Sequence, residues 1–91
     1  LNIRWTSRAI FDLQRLHNFL ADKSPRAAQN TRHVLRHAPE RLLDFPRMGP
    51  RLEQFEDREV RRIVVGDYEI RYEIIGQTIW VLQLWHGRED R

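Results

Sequence analysis

Three groups of side chains in this 91-residue chain have types and spacings that could carry chemistry. The first is His33 and His37 in HVLRH, four apart and therefore on one face of a helix. Two imidazoles at that spacing can bind zinc. The metalloprotease pattern needs a glutamate directly after the first histidine, and Val34 stands there instead. No third ligand is evident, so the pair reads as exposed helix histidines and no metal is expected. The second group is His86 with Arg61, Arg62, Arg71 and Arg88. Cleaving RNA at its 2′-hydroxyl takes a base, an acid for the leaving oxygen, and cations for the phosphorane charge. His86 could be the acid or base, with Arg61, Arg62 or Arg88 as the phosphate clamp. A plainer reading has His86 closing a strand and the arginines pairing with Glu59, Glu69 and Glu73 across the sheet. On residue types alone the plainer reading is preferred. The third group is Trp5, Trp80, Trp85, Tyr68 and Tyr72, which fall mostly on apolar strand faces and read as core. A serine triad, a P-loop and a dinucleotide fingerprint are absent.

The elements that must position these residues follow from periodicity. Asn2 to Trp5 reads as a short strand. Thr6 or Ser7 then caps a helix to about Asp22, with Ala9, Leu13, Leu16 and Leu20 at helical spacing and Ile10 and Phe19 widening the stripe. Ser24-Pro25 is a second start signal, cap then first helical position. The few residues between the helices favour an antiparallel hairpin. Ala28, Thr31, Leu35, Ala38, Leu42 and Phe45 continue the spacing across Pro39, so the second helix is expected to kink there rather than end near His37. FPRMGPR is a loop, and the stretch to about Asp57 reads as polar and irregular. The period then changes to two. Val60–Val65, Tyr68–Ile75 and Thr78–Trp85 read as strands joined at Gly66-Asp67 and Gly76-Gln77. Tyr68, Ile70, Tyr72 and Ile74 should meet the helices, leaving Glu69, Arg71 and Glu73 on a wet face. In the last strand Ile79, Val81 and Trp85 fall on one side and Trp80, Leu82 and Leu84 on the other. A strand apolar on both sides is central or covered twice. The expectation is an α+β domain over residues 1–91, ordered β-α-α-β-β-β, with a helical hairpin packed on one face of a mainly antiparallel sheet.

Composition bounds the function. The chain has length for one compact domain and carries no cysteine, which excludes disulfides and thiolate metal sites. No apolar run approaches the roughly 20 residues of a membrane span, so a cytoplasmic, membrane-free protein is expected. The net charge is +3, and lysine occurs once, at Lys23; every other base is arginine. Residues 1–52 carry a net +6 and residues 53–91 a net −3. An arginine-rich first half suits bidentate pairing with carboxylates or phosphates.

Several short motifs then occur in a telling order. They are Trp5-Thr6-Ser7 with Ala9 and Asp12-Leu13, Ser24-Pro25 with Ala28, and Phe45-Pro46-Arg47-Met48-Gly49. Glu59-Val60-Arg61, Tyr68-Glu69-Ile70-Arg71-Tyr72 and His86-Gly87-Arg88 follow. In this order the chain resembles the RelE/ParE toxins of bacterial type II toxin–antitoxin systems, often described as plasmid stabilisation proteins. That resemblance implies the fold above, no cofactor, and an antitoxin partner with an acidic, flexible segment that orders on contact. Arg8, Arg15, Arg32 and Arg36 are the candidate antitoxin contacts. It implies one of two activities: RelE-like members cut messenger RNA in the ribosome, whereas ParE-like members inhibit DNA gyrase. The ribonuclease members carry an arginine where this chain has Glu69, and a tyrosine near the C-terminus where nothing aromatic follows Trp85. Arg62 and Arg88 do fall at basic positions of that site, and some nucleases of the group use a terminal histidine like His86. The HGR ending is common among ParE-like members, and a growth-inhibiting gyrase poison is the preferred expectation. The alternative is a ribosome-dependent endonuclease using Arg61 or Arg62, His86 and Arg88. A third reading leaves only antitoxin binding.

Overall fold

A computed structural model of the chain describes residues 1–89. The chain forms β1 (Asn2–Trp5), α1 (Ser7–Ala21), α2 (Pro25–His37), a 3-10 helix (Ala38–Leu43), β2 (Val60–Val65), β3 (Tyr68–Ile75) and β4 (Thr78–His86). Thr6 is extended and its side chain accepts the Ala9 amide, which fixes the start of α1. Ser24 does the same for α2 by accepting from Ala27, with Pro25 first in the helix. Each such cap contributes on the order of 1 kcal/mol.

The expected kink at Pro39 is instead an end. The α-helix stops at His37 and the chain tightens into the 3-10 helix. Proline has no amide to donate to Leu35, and the three- and four-residue apolar spacing fits a 3-10 turn as readily as an α-helix. Pro39 and Leu42 are buried by the change. Phe45, which extended the stripe on paper, is exposed, as are Ile10 and Phe19 on α1.

The sheet runs β1-β4-β3-β2, with β1 parallel to β4 and the other pairs antiparallel. Gly66 and Gly76 open the two hairpins at φ of 60° and 57°, the first-position glycine that a type II′ turn requires. Leu13 and Leu16 of α1, Leu35 and Leu42 meet Ile63, Ile70, Tyr72, Ile79, Val81 and Leu84 in one core. β4, apolar on both sides, is interior as expected.

Two expectations about the sheet faces fail. A bulge opposite Arg71 and Tyr72 leaves Leu82 without a partner on β3, so Gln83 pairs with Arg71 while Val81 pairs with Tyr72. The extra residue reverses the alternation. Leu84 and His86 therefore share the helix side with Ile79 and Val81, and Trp85 moves to the opposite side. That opposite side is also not wet: Glu69 and Glu73 are buried, as is Val60. The segment between residues 50 and 59 folds back over it. The Leu52 amide donates to the Val60 carbonyl, and the Phe55 ring lies under the guanidiniums of Arg58 and Arg71. Glu73 tolerates burial because Arg58 holds both its oxygens, at 2.7 and 2.9 Å.

Tyr72 ties the FPRMGPR loop to the sheet. Its hydroxyl donates to the Pro46 carbonyl at 2.8 Å and accepts the Gly49 amide at 3.2 Å. Burial pushes this phenol up from its ordinary value. Tyr72→Phe should lower stability by about 1–3 kcal/mol, because both loop groups lose their partner inside the protein. Urea unfolding of the two proteins at neutral pH measures the difference.

Candidate functional site

The structure does not gather the four proposed nuclease residues. On β2, Arg61 and Arg62 are adjacent, so their side chains leave opposite faces of the sheet. Arg61 is half-buried: its guanidinium donates to the Gly49 carbonyl at 2.8 Å and to Glu59 at 2.9 Å. Arg62 lies on the other face and donates to Glu69 at 3.1 Å. Arg61 stands opposite Tyr72, and His86 stands opposite Tyr68. Four residues along β3 separate those tyrosines, roughly 13 Å at about 3.3 Å per residue. Of the original set, only His86 and Arg88 stay together. The plainer pairing holds for Arg61 with Glu59 and Arg62 with Glu69, while the partner of Glu73 is Arg58.

His86 has a defined setting. Its Nδ1 accepts the Arg88 amide at 3.1 Å, which leaves Nε2 as the protonated nitrogen of the neutral ring. The ring meets Tyr68 edge-on, 5.2 Å between centroids. Burial raises the Tyr68 phenol above its usual range. Both rings line a cleft of about 550 Å3 with Leu16 and Phe19 of α1, with Lys23 in the turn that follows that helix, and with Arg88. One histidine, two exposed cations, a phenol and the carboxylates of Asp67 and Glu89 make a polar binding surface with an acid–base residue at its edge.

Glu59 is the most heavily engaged carboxylate of the β2 end. Arg47 grips both its oxygens at 2.8 and 2.9 Å, and Arg61 adds a third bond. The Arg47 hydrogen bonds lead, burial opposes them, and Arg61 reinforces them, so the carboxyl sits below the ordinary glutamate range. A folded-state value below the unfolded one gives stability that is present at neutral pH and lost as pH falls through the folded value. Arg47→Ala should therefore be less stable than the parent at pH 7. The gap should close on acidification below about pH 4, where the unfolded chain also takes up its protons. Denaturant midpoints at both pH values check this.

Sequence reasoning passed over the most consequential polar residue, Asp12. It sits in the apolar stripe of α1 at 1% exposure. β1 covers β4 only as far as Val81, and among the described residues the rest of that β4 edge has no neighbouring strand. Side chains take its place. Thr6 donates its hydroxyl to the Leu82 carbonyl at 2.9 Å, and Asp12 accepts the Leu84 amide at 3.0 Å. Arg15 reaches the Leu84 carbonyl at 3.4 Å, and Glu89 accepts the His86 amide at 3.3 Å. An acid at a core-facing helix position was the available signal.

The candidate antitoxin contacts form two pairs. Arg8 and Arg15 both reach Asp12, at 3.1 and 3.5 Å. On α2, Arg32 and Arg36 are exposed, and Arg36 lies 5.1 Å over the Trp5 ring. Trp85 is buried, whereas Trp5 and Trp80 are half-buried beneath Arg36 and Arg4. His33 and His37 stack obliquely at 4.5 Å with Glu40 beside His37. Among the described residues, no three His, Cys, Asp or Glu side chains gather as a metal site. No helix among them is long and apolar enough to cross a membrane.

A hairpin of two helices on a four-stranded mixed sheet is the arrangement of RelE/ParE superfamily toxins. The chain belongs to that group: the family model for the ParE toxin of the type II toxin–antitoxin system parDE matches residues 3–91. Among its relatives is Toxin RelE1 of Caulobacter vibrioides, 35% identical over 86 residues, which span 92% of this chain and 90% of the relative. Toxin RelE2 of the same organism is 33% identical over 83 residues, 91% of each chain. A solved chain of the chromosomal ParDE TA system from P. aeruginosa shares the fold at a TM-score of 0.79. It is 17% identical and covers 94% of this chain and 95% of its own length. Membership in a type II system implies a cognate antitoxin as partner.

Proposed function

We propose that this toxin acts without cleaving RNA, by binding and inhibiting DNA gyrase, and that its antitoxin holds it neutral. The observation that carries the reading is the separation of Arg61 and Arg62 from His86. Phosphoryl chemistry depends on cations aimed at the charge that develops in the transition state. Here one arginine fastens a loop and the other is spent on Glu69 across the sheet. The match to the ParE family model supports the same side. The antitoxin, on this reading, meets the cations of the helices, with Arg8, Arg15, Arg32 and Arg36 as its contacts.

A second reading rests on the cleft beside His86. A histidine, Tyr68, Arg88 and Lys23 share it, and the two Caulobacter relatives carry RelE names. On that reading the chain is a ribosome-dependent endonuclease with His86 as acid or base. A purified translation reaction decides between them by message integrity. The proposal expects full-length message at toxin levels that arrest growth. Cleavage that disappears in His86→Ala or Arg88→Ala would establish the second reading.

A further inference from the structure

Glu89 stands between two clefts. It lines the one that holds His86 and Tyr68, and also a second of about 320 Å3 walled by Arg8, Arg15, Arg71, Gln83 and Trp85. Three guanidiniums border the second cleft, against one lining carboxylate, Glu89. The carboxylate already seated there shows what the cleft accepts. Asp12 is sealed in, but Arg15 and Glu89 keep 37% and 32% of their side-chain surface and hold each other by one bond of 2.9 Å. A single-point contact between half-exposed groups is weak and open to competition. A guanidinium offers a second parallel donor that a better-placed carboxylate would use.

We propose that this arginine cleft is the docking site for a carboxylate on an acidic segment of the antitoxin, and that Glu89 is the internal carboxylate it displaces from Arg15. The inference rests on the antitoxin being the partner. Its consequence reaches the other cleft. Glu89 also accepts the His86 amide at 3.3 Å and donates its own amide to the His86 carbonyl at 2.9 Å. Burial disfavours its charge, yet the bonds from Arg15 and the His86 amide outweigh that and keep the carboxyl below the usual range. Glu89 is therefore ionised at neutral pH, and an arriving carboxylate meets a charged competitor. Releasing it loosens the turn that fixes His86.

Antitoxin affinity measured by calorimetry on single variants tests this. Glu89→Gln removes the competitor and should bind the antitoxin roughly three- to fivefold more tightly. Arg15→Gln should bind at least about tenfold more weakly. Arg8→Gln, which leaves the backbone contacts of β4 in place, should also weaken binding. Glu53→Gln makes the same change in net charge on the exposed 51–58 segment and should leave affinity unchanged. The His86 amide resonance should shift when the antitoxin binds the parent protein. Equal affinity for the parent, Glu89→Gln and Arg8→Gln would overturn the inference while leaving the partnership intact. Absence of antitoxin binding to the parent would overturn both. Poly-L-glutamate and single-stranded DNA serve as chemical probes. If the Glu89→Gln gain appeared with the DNA and not with the peptide, the carboxylate assignment would fall.

Discussion

Asp12→Ala should be among the most destabilising single substitutions in this protein. The side chain is buried at 1% exposure and accepts the Leu84 amide where β4 has run past the end of β1. Alanine leaves that amide without a partner and removes the anion between Arg8 and Arg15. An unsatisfied buried donor costs about 1–3 kcal/mol, and loss of one member of a buried ionic group adds to it. Both arginines reach solvent, which discounts the ionic part, so the expected loss is about 2–4 kcal/mol. A chain of this length has on the order of 5–13 kcal/mol in total. Asp12→Asn keeps an acceptor oxygen and should lose less, about 1–2 kcal/mol. Urea midpoints with an unchanged slope establish the order. If Asp12→Ala unfolded at the parent midpoint, the side-chain replacement of the missing strand would be wrong.

Gly49→Ala should be comparably severe for a different reason. A methyl group there would overlap the backbone carbonyl of Arg62 and crowd the Ile63 side chain. Backbone cannot step aside as a flexible side chain can. The loop must lift from β2, which loosens the Gly49 contacts to Tyr72 and Arg61 together. Overpacking at such a site costs about 1–3 kcal/mol, and the lost hydrogen bonds bring the expected total to about 3 kcal/mol or more. Gly66 and Gly76 offer the contrast. Both have positive φ, and an added Cβ would meet nothing within 4 Å at either. Alanine there bears only the backbone penalty of a positive φ, roughly 1–3 kcal/mol. Equal losses at Gly49 and Gly66 would contradict this distinction.

The element order was legible because each boundary carries its own chemistry. Thr6 and Ser24-Pro25 start helices, and a glycine at the first turn position starts each hairpin. The central place of β4 was legible from its two apolar faces. The bulge at Leu82 was not, since no glycine or proline marks it; Thr6, at the turn from β1 into α1, donates to the Leu82 carbonyl there. The covered face of β3 escaped notice because its charges suggested water. Glu69 and Glu73 are buried with arginine partners, and Phe55 supplies the apolar contact for Arg58 and Arg71. Of the candidate site, the placing of Arg61 and Arg62 on opposite faces was legible, since adjacent strand residues alternate, but their distance from His86 along the sheet was not. His86 and Arg88 stayed together because they share one turn.

Supercoiling of relaxed plasmid by purified DNA gyrase, titrated with the toxin and then with its antitoxin, tests whether gyrase is the target. Dose-dependent loss of supercoiling is expected, restored by the antitoxin and retained in Arg61→Gln when that variant is folded. Full supercoiling at every toxin concentration, with cleaved message in the translation reaction, would contradict it.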